Sequence, residues 1–470
     1  MPARDFDLAV IGGGSGGLTA ARFAARLGAR VALVEKQRIG GDCTWTGCIP
    51  SKALLHTARV AQQIRHAHRF GISAPAPEVD MPKVRAWVGE AIGRVYEAEN
   101  PEELSNEGIE VLLGGARFLD AHTLQVNDRA VRARKFLIAT GARPRIPDMP
   151  GLRDVPYLTY ESIFDNDRLP GRMIVVGGGP IGVELGQAYQ RFGSEVTFIA
   201  PRLLPKDEPE AGELLERVLT DEGARMVHGR AQAAYRDGDE VVISAEQQEM
   251  RGDLLLLAVG RQPTVSGLDL EKAGVRYSVN GIGIDRKLRT SVPHIYAAGD
   301  VAGGPQFTHF AGWQAFQAAR NALLPGTSTG ISDVIPWVTF TDPEFAHVGL
   351  TEAQARARYR DDVVVNRIEA SRTDRAVCEG RPEGFTKLIT SKKGKVLGAT
   401  VAHARAGEVI TELTIAIRRG LTTADIAGAI HAYPTYSSAV QQLASDAALE
   451  AWLAGRSAKF IRSLSGFTRK

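Results

Sequence analysis

The chain has 470 residues, enough for two to four domains with ordinary hydrophobic cores, so it has no need of disulfide staples. Lys plus Arg number 57 against 54 Asp plus Glu, a near balance that removes the electrostatic case for nucleic acid or general membrane attachment. No apolar run approaches the roughly 20 residues of a transmembrane helix, and a strand candidate by Asp7 leaves no room for a signal or transit peptide, so a cytoplasmic location is expected.

Residues 7–11, Asp-Leu-Ala-Val-Ile, form a short buried-strand pattern that runs into Gly12-Gly13-Gly14-Ser15-Gly16-Gly17 and then a small-residue helix over 18–27. Val31, Ala32, Leu33 and Val34 supply a second strand ending at Glu35, where a carboxylate can accept ribose hydroxyls. In that context Gly12 permits a tight turn, Gly14 lets backbone approach a pyrophosphate, and Gly17 lets helix pack on strand.

Two of the three cysteines follow, Cys43 and Cys48, at the mouth of a helix. From Ser51 through Val60 and Ile64 the apolar spacing is helical, and Pro50 fits the first turn, where its missing N–H costs nothing. Cys48 therefore sits near a helix N-terminus, whose dipole and unpaired N–H groups favour a thiolate. A zinc site would want four paired Cys or His ligands, and only Cys378 remains, without CxxC or HxxxH beside it. A structural disulfide would close a tiny loop of little entropic value. The pattern asks for a reactive dithiol.

The strand, glycine turn and helix recur at Met173 to Val176, Gly177-Gly178-Gly179-Pro180-Ile181-Gly182 and residues 183–192, with a second strand over 195–199. One chain thus binds two dinucleotides. Ala200 stands where an NAD-preferring site usually offers an acid, and Arg202 lies close by; together they predict NADPH ahead of NADH. Between the two units, residues 136–142 and the prolines at 144, 147 and 150 mark a crossover. Residues 254–263 close the second unit, and 294–301 give another buried strand ending in Gly299-Asp300, where Asp300 is either a cofactor ligand or a helix N-cap. From about Ile335 alternating strand patterns with a helix over 409–418 predict an α+β domain that ends in His431-Ala432-Tyr433-Pro434 and a helical tail.

Two dinucleotide units, the CxxxxC, the Ala-Thr-Gly and Gly-Asp strands and the C-terminal α+β domain together resemble the flavin-dependent pyridine nucleotide-disulfide oxidoreductases, in their mercuric reductase-like branch. The resemblance spans nearly the whole chain. It implies an α/β fold with an FAD-binding domain over 1–150 and 282–334, an NAD(P)-binding domain over 151–281 and a dimerisation domain over 335–470, in a homodimer where one subunit's C-terminal segment completes the other's active site. Gly12, Gly14, Ser15, Gly16, Gly17, Glu35, Gly41, Asp42, Ala116, Thr140, Gly141, Gly299 and Asp300 enter the cofactor-binding set that it implies. Gly177, Gly179, Gly182, Arg202 and Gly260 complete the set together with Lys52 and Glu184, an implied pair near flavin and nicotinamide. Cys48 is then the flavin-facing thiol and Cys43 the outer thiol that meets substrate. Hydride would pass from NAD(P)H through FAD to the Cys43–Cys48 disulfide.

The chain departs from the family where its disulfide reductases carry a His-Pro and a later Glu as an acid/base pair. Here those positions hold Tyr433 and Ser438. Free Tyr titrates near about 10, so an acceptor needing little acid/base help is expected: a metal ion such as mercuric ion, a quinone or an activated disulfide. A flavin dehydrogenase with bystander cysteines is the alternative. If the segment is extended, His431 shares a side with Tyr433 and becomes a substitute proton donor, as in a dihydrolipoamide dehydrogenase-like enzyme. The C-terminal cysteine pair of mercuric reductases is missing, and the tail over 451–470 is basic and amphipathic, which allows peripheral contact with the inner face of a membrane.

Overall fold

Apolar runs buried on both faces build the centre of the first sheet, as parallel strands covered on both sides require. Phe6–Ile11 (β1), Val31–Glu35 (β2) and Ile109–Leu113 (β3) lie in the order β3, β2, β1, all parallel. The far edge of β1 pairs in parallel with the second half of the strand Arg129–Ile138, whose first half turns into an antiparallel meander with Thr123–Val126 and Ala116–Asp120. Ile295–Ala297 pairs with the same long strand, Ile295 opposite Phe136, so chain from far downstream completes this sheet. The computed structural model describes residues 5–326 and 328–454.

Helix Ser15–Arg26 (α1) buries only small residues and Leu18, which lets it pack closely on the helix Thr308–Leu323 through the buried Ala315, Ala318 and Ala319. Gly41–Trp45 (α2) and Cys48–His66 (α3) follow β2. A second parallel sheet has the order Arg225–Val227, Glu195–Ile199, Arg172–Val176, Leu254–Leu257, with the helix Pro180–Phe192 following the second glycine loop. Both are Rossmann-like units, and both belong to one compact body made of residues up to 201 and 223–332.

The second body takes residues 202–222 and 333 onward. Its antiparallel sheet runs Trp337–Thr339, Glu344–Gly349, Val396–His403, Phe385–Ser391, Val363–Glu369, backed by the helices Ala406–Arg419 and Ser437–Ala454. The alternating pattern of these strands suggests one wet face, yet Thr386, Lys387, Thr390 and Thr400 are buried too. The reason is the helix Pro209–Asp221 and its lead-in: Glu208 and Glu210 meet Lys387 Nζ at 3.3 and 2.6 Å, and Glu352 meets it at 2.8 Å. Three carboxylates make burial of that ammonium tolerable. Segment 202–222 is therefore part of the C-terminal body, although the sequence boundary of 151–281 assigns it to the second glycine-loop domain.

Candidate active site

Both glycine loops are tight turns that only a missing side chain allows. Gly12 has φ +105°, and a Cβ on Gly17 would lie 1.8 Å from the Gly12 carbonyl oxygen; Gly177 and Gly182 repeat the relationship at 2.3 Å. Glu35 ends β2 with one carboxylate oxygen accepting the Gly13 N–H at 2.7 Å and the other accepting the Gln37 N–H, so the acid expected at a ribose also ties down the loop. Gly14 bridges to Gly40 beside Gly41, which brings the first glycine loop to the approach of the cysteine helix. Thr140 donates to the Thr264 carbonyl, and Ala116 opens its strand in the meander.

The cysteine stretch folds as the spacing predicts. Cys48 is the first residue of α3, with Gly47 before it and Pro50 in the first turn; Cys43 lies in α2. Both thiols are half-buried and free of a disulfide. The Cys43 S–H donates to Cys48, and this bond does most to draw Cys48 well below the ordinary thiol range. Burial and Glu184 oppose it, while the Thr308 hydroxyl at 3.2 Å from Cys48 Sγ and the Lys52 charge add to it. The same Cys43–Cys48 bond, with burial, holds Cys43 far above that range. The charge thus rests on Cys48 and the proton on Cys43. Thr308, 260 residues away in sequence, carried no signal that could single it out.

Lys52 lies about one turn into α3 and reaches Glu184 at 2.8 Å, so the pair that the resemblance implies is brought together. Asp300 is no N-cap: it lies inside the turn Gly299–Ala302, whose preceding residue Ala298 makes no side-chain cap, and it accepts from Arg261 at 2.5 Å. The other arm of Arg261 binds Asp42 at 2.6 Å, and Tyr160 leans on both. Burial pushes the Asp300 carboxyl up, and Arg261 pulls against it. Arg261 sits within the Val-Gly-Arg-Gln-Pro stretch, but nothing in its spacing points to Asp42 or Asp300.

In the C-terminal body Tyr433 is 73% exposed and its hydroxyl donates to Asp374 at 2.5 Å, a bond that raises the phenol further from neutrality. His431 departs from the expectation of a proton donor sharing Tyr433's side. Its Nε2 meets Glu412 at 2.7 Å and its Nδ1 meets the Ala429 carbonyl at 3.0 Å, so both ring nitrogens are engaged within its own body. Burial works against the imidazolium, but Glu412 and the Ala429 carbonyl outweigh it and the pKa rises. Arg202 turns its guanidinium onto the Pro205 carbonyl of its own loop. Cys378 is exposed at the end of the short helix Asp374–Cys378. The basic residues of the amphipathic tail, Arg456, Lys459, Arg462, Arg469 and Lys470, lie outside the described residues. Among the described residues no helix is long and apolar enough to cross a membrane.

Residues 6–315 match the family described as pyridine nucleotide-disulphide oxidoreductase, and residues 335–444 match its dimerisation domain. The chain belongs to this family. It is 38% identical over 460 residues to a dihydrolipoyl dehydrogenase of Thermus scotoductus, covering 94% of this chain and 97% of that one. A mercuric reductase of Bacillus cereus is 35% identical over 447 residues, 93% of this chain and 70% of the relative. Among solved structures, the HOCl-induced flavoprotein disulfide reductase RclA from Escherichia coli superposes with TM-score 0.85 at 28% identity, covering 93% and 99%. LpdA from Mycobacterium tuberculosis gives 0.86 at 28%, covering 94% and 99%.

This oxidoreductase is therefore an NAD(P)H-dependent flavoprotein with a redox-active cysteine pair and a dimerisation domain. Its residues fit the dinucleotides that the family uses. A Cβ on Gly179 would meet nothing within 4 Å, and the same holds at Gly141 and Gly260, so each leaves bare backbone facing open space. Thr46, between the two cysteines, buries a hydroxyl with no partner. Gly12 to Gly17 and Glu35 would hold FAD at the first loop, and Gly177 to Gly182 the pyridine nucleotide at the second.

Proposed function

We propose that this oxidoreductase uses NADPH to reduce an acceptor that needs little general-acid help: a metal ion such as mercuric or cupric ion, a quinone or an activated disulfide. Bound FAD supplies the two-electron step between nicotinamide and disulfide. The chain's own part lies at the sulfurs. Lys52 and Thr308 hold charge on Cys48, and Cys43 keeps its proton until it attacks or is oxidised; closing the disulfide passes two electrons to the acceptor and releases the Cys43 proton to solvent.

The observation that carries this reading is Tyr433, bound to Asp374 and shifted away from neutrality where a disulfide reductase would need a base. The mercuric reductases among its relatives and the RclA structures solved with Cu(II) support a metal ion in the acceptor class. Ala200 in place of an acid supports NADPH. The dimerisation domain supports a homodimer, and the absence of a membrane-crossing helix among the described residues is compatible with a cytoplasmic site of action.

Anaerobic titration with NADPH and NADH tests it. NADPH should react faster and raise a long-wavelength thiolate-to-flavin band. Cys43→Ser should abolish reduction of mercuric or cupric ion while a direct flavin-oxidising dye is still reduced. Retention of metal-ion reduction would favour a flavin dehydrogenase instead, and brisk NAD-linked oxidation of dihydrolipoamide would favour the reading in which His431 serves as base.

A further inference from the structure

Three helices begin at the cysteine pair. α3 starts on Cys48 itself, α1 starts at Ser15, and the helix Thr308–Leu323 starts at Thr308. Ser15 and Thr308 each turn a hydroxyl to the sulfurs: Thr308 Oγ1 stands 3.2 Å from Cys48 Sγ and also reaches Cys43, while Ser15 reaches Cys43. The helix Thr308–Leu323 has sixteen residues and no side-chain cap at Phe307, and the positive end of its dipole lies at Thr308.

We infer that Thr308 is a positioning residue of the reduced enzyme, donating its hydroxyl to Cys48 and so selecting the inner sulfur as the one that carries charge. A thiolate has no proton to give, so the hydroxyl must be donor. Cys48 then accepts two bonds, from the Cys43 S–H and the Thr308 O–H; Thr308 and Ser15 also reach Cys43, but there the bond to Cys48 and burial outweigh them and the proton stays. The other groups facing the pair are Lys52, which favours the charge, and Glu184, which opposes it. His309, next in sequence, has its ring 5.5 Å from the Phe307 ring and parallel to it. In the disulfide no thiolate is left to accept, so the Thr308 bond belongs to the reduced state and favours that state over the oxidised one. The inference concerns the sulfur pair on which the proposed function also rests, but it does not depend on which acceptor is used.

The test uses the purified holoprotein in a Cys43→Ser, Cys378→Ser background, where Cys48 is the one remaining cysteine. The rate of alkylation by iodoacetamide is followed against pH for Thr308, Thr308→Val and Thr308→Ser. A hydrogen bond to a charged group, weakened here by solvent at Thr308, predicts that valine raises the midpoint by about one pH unit, slowing alkylation by about tenfold at pH values below both midpoints and much less above them. Serine should restore the original midpoint. If valine leaves the midpoint unchanged, or if serine and valine shift it equally, the hydroxyl has no such role and the inference is overturned. Because alkylation needs no electron acceptor, failure here is distinguishable from failure of the proposed metal-ion reductase activity.

Discussion

Lys52 Nζ and a carboxylate oxygen of Glu184 stand 2.8 Å apart, the glutamate side chain 6% exposed and the lysine 36%. The two act on Cys48 with opposite sign. Lys52→Met should raise the Cys48 pKa, and Glu184→Gln should lower it, both read from the pH dependence of thiol alkylation. Lys52→Met also removes the ammonium that faces a buried carboxylate. It should cost about 1–3 kcal/mol in urea unfolding, at the low end because the lysine is partly solvated.

Gly17→Ala and Gly179→Ala should fail differently. The first drives a Cβ to 1.8 Å from backbone in the first loop, so the protein should lose flavin and fold poorly. The second adds a methyl into open space. It should leave the flavin spectrum and melting temperature near those of the parent while raising KM for NADPH several-fold, which steady-state kinetics would show.

Arg261→Met removes the guanidinium shared by Asp42 and Asp300. With Arg261 and Asp300 only 18% and 11% exposed, the loss should be about 2–4 kcal/mol in thermal unfolding. Asp300 should then hold its proton to higher pH, and flavin should leave more readily on dialysis. Arg261→Lys should recover only one of the two contacts.

His431 has its pKa raised above the unfolded value of about 6.5. A group shifted upward contributes stability that is fully present below its unfolded pKa and lost as pH rises through the folded one. His431→Gln should therefore destabilise more at pH values near 5.5 than near 8.5, by about 1 kcal/mol. The pH profile of turnover should be unchanged, since both ring nitrogens are already engaged by Glu412 and Ala429.

What the sequence discloses follows from how local each feature is. The glycine loops, Glu35 and the Cys43–Cys48 helix mouth are each written within a short window, where turn chemistry and periodicity act directly. Lys52 with Glu184 came through resemblance, because no local rule joins residues so far apart. Thr308, Arg261, Glu412 and Asp374 were invisible for that same reason: each acquires its role only when a distant strand or helix is folded against it. The helix Pro209–Asp221 shows the same limit at the level of domains, since Glu208 before it and Glu210 within it answer Lys387, at least 177 residues downstream, and so join the C-terminal body.

That lysine has a consequence for anyone dissecting the protein. The chain leaves the dinucleotide-binding body at Pro201, contributes Glu208 and Glu210 to the salt-bridged centre of the other, and returns at Gly223. A fragment starting near residue 333 would keep Lys387 with Glu352 but without its other two counter-charges. Modular grafting between relatives must therefore transplant a discontinuous piece, residues 202–222 along with everything from 333, if the recipient is to inherit an intact C-terminal half.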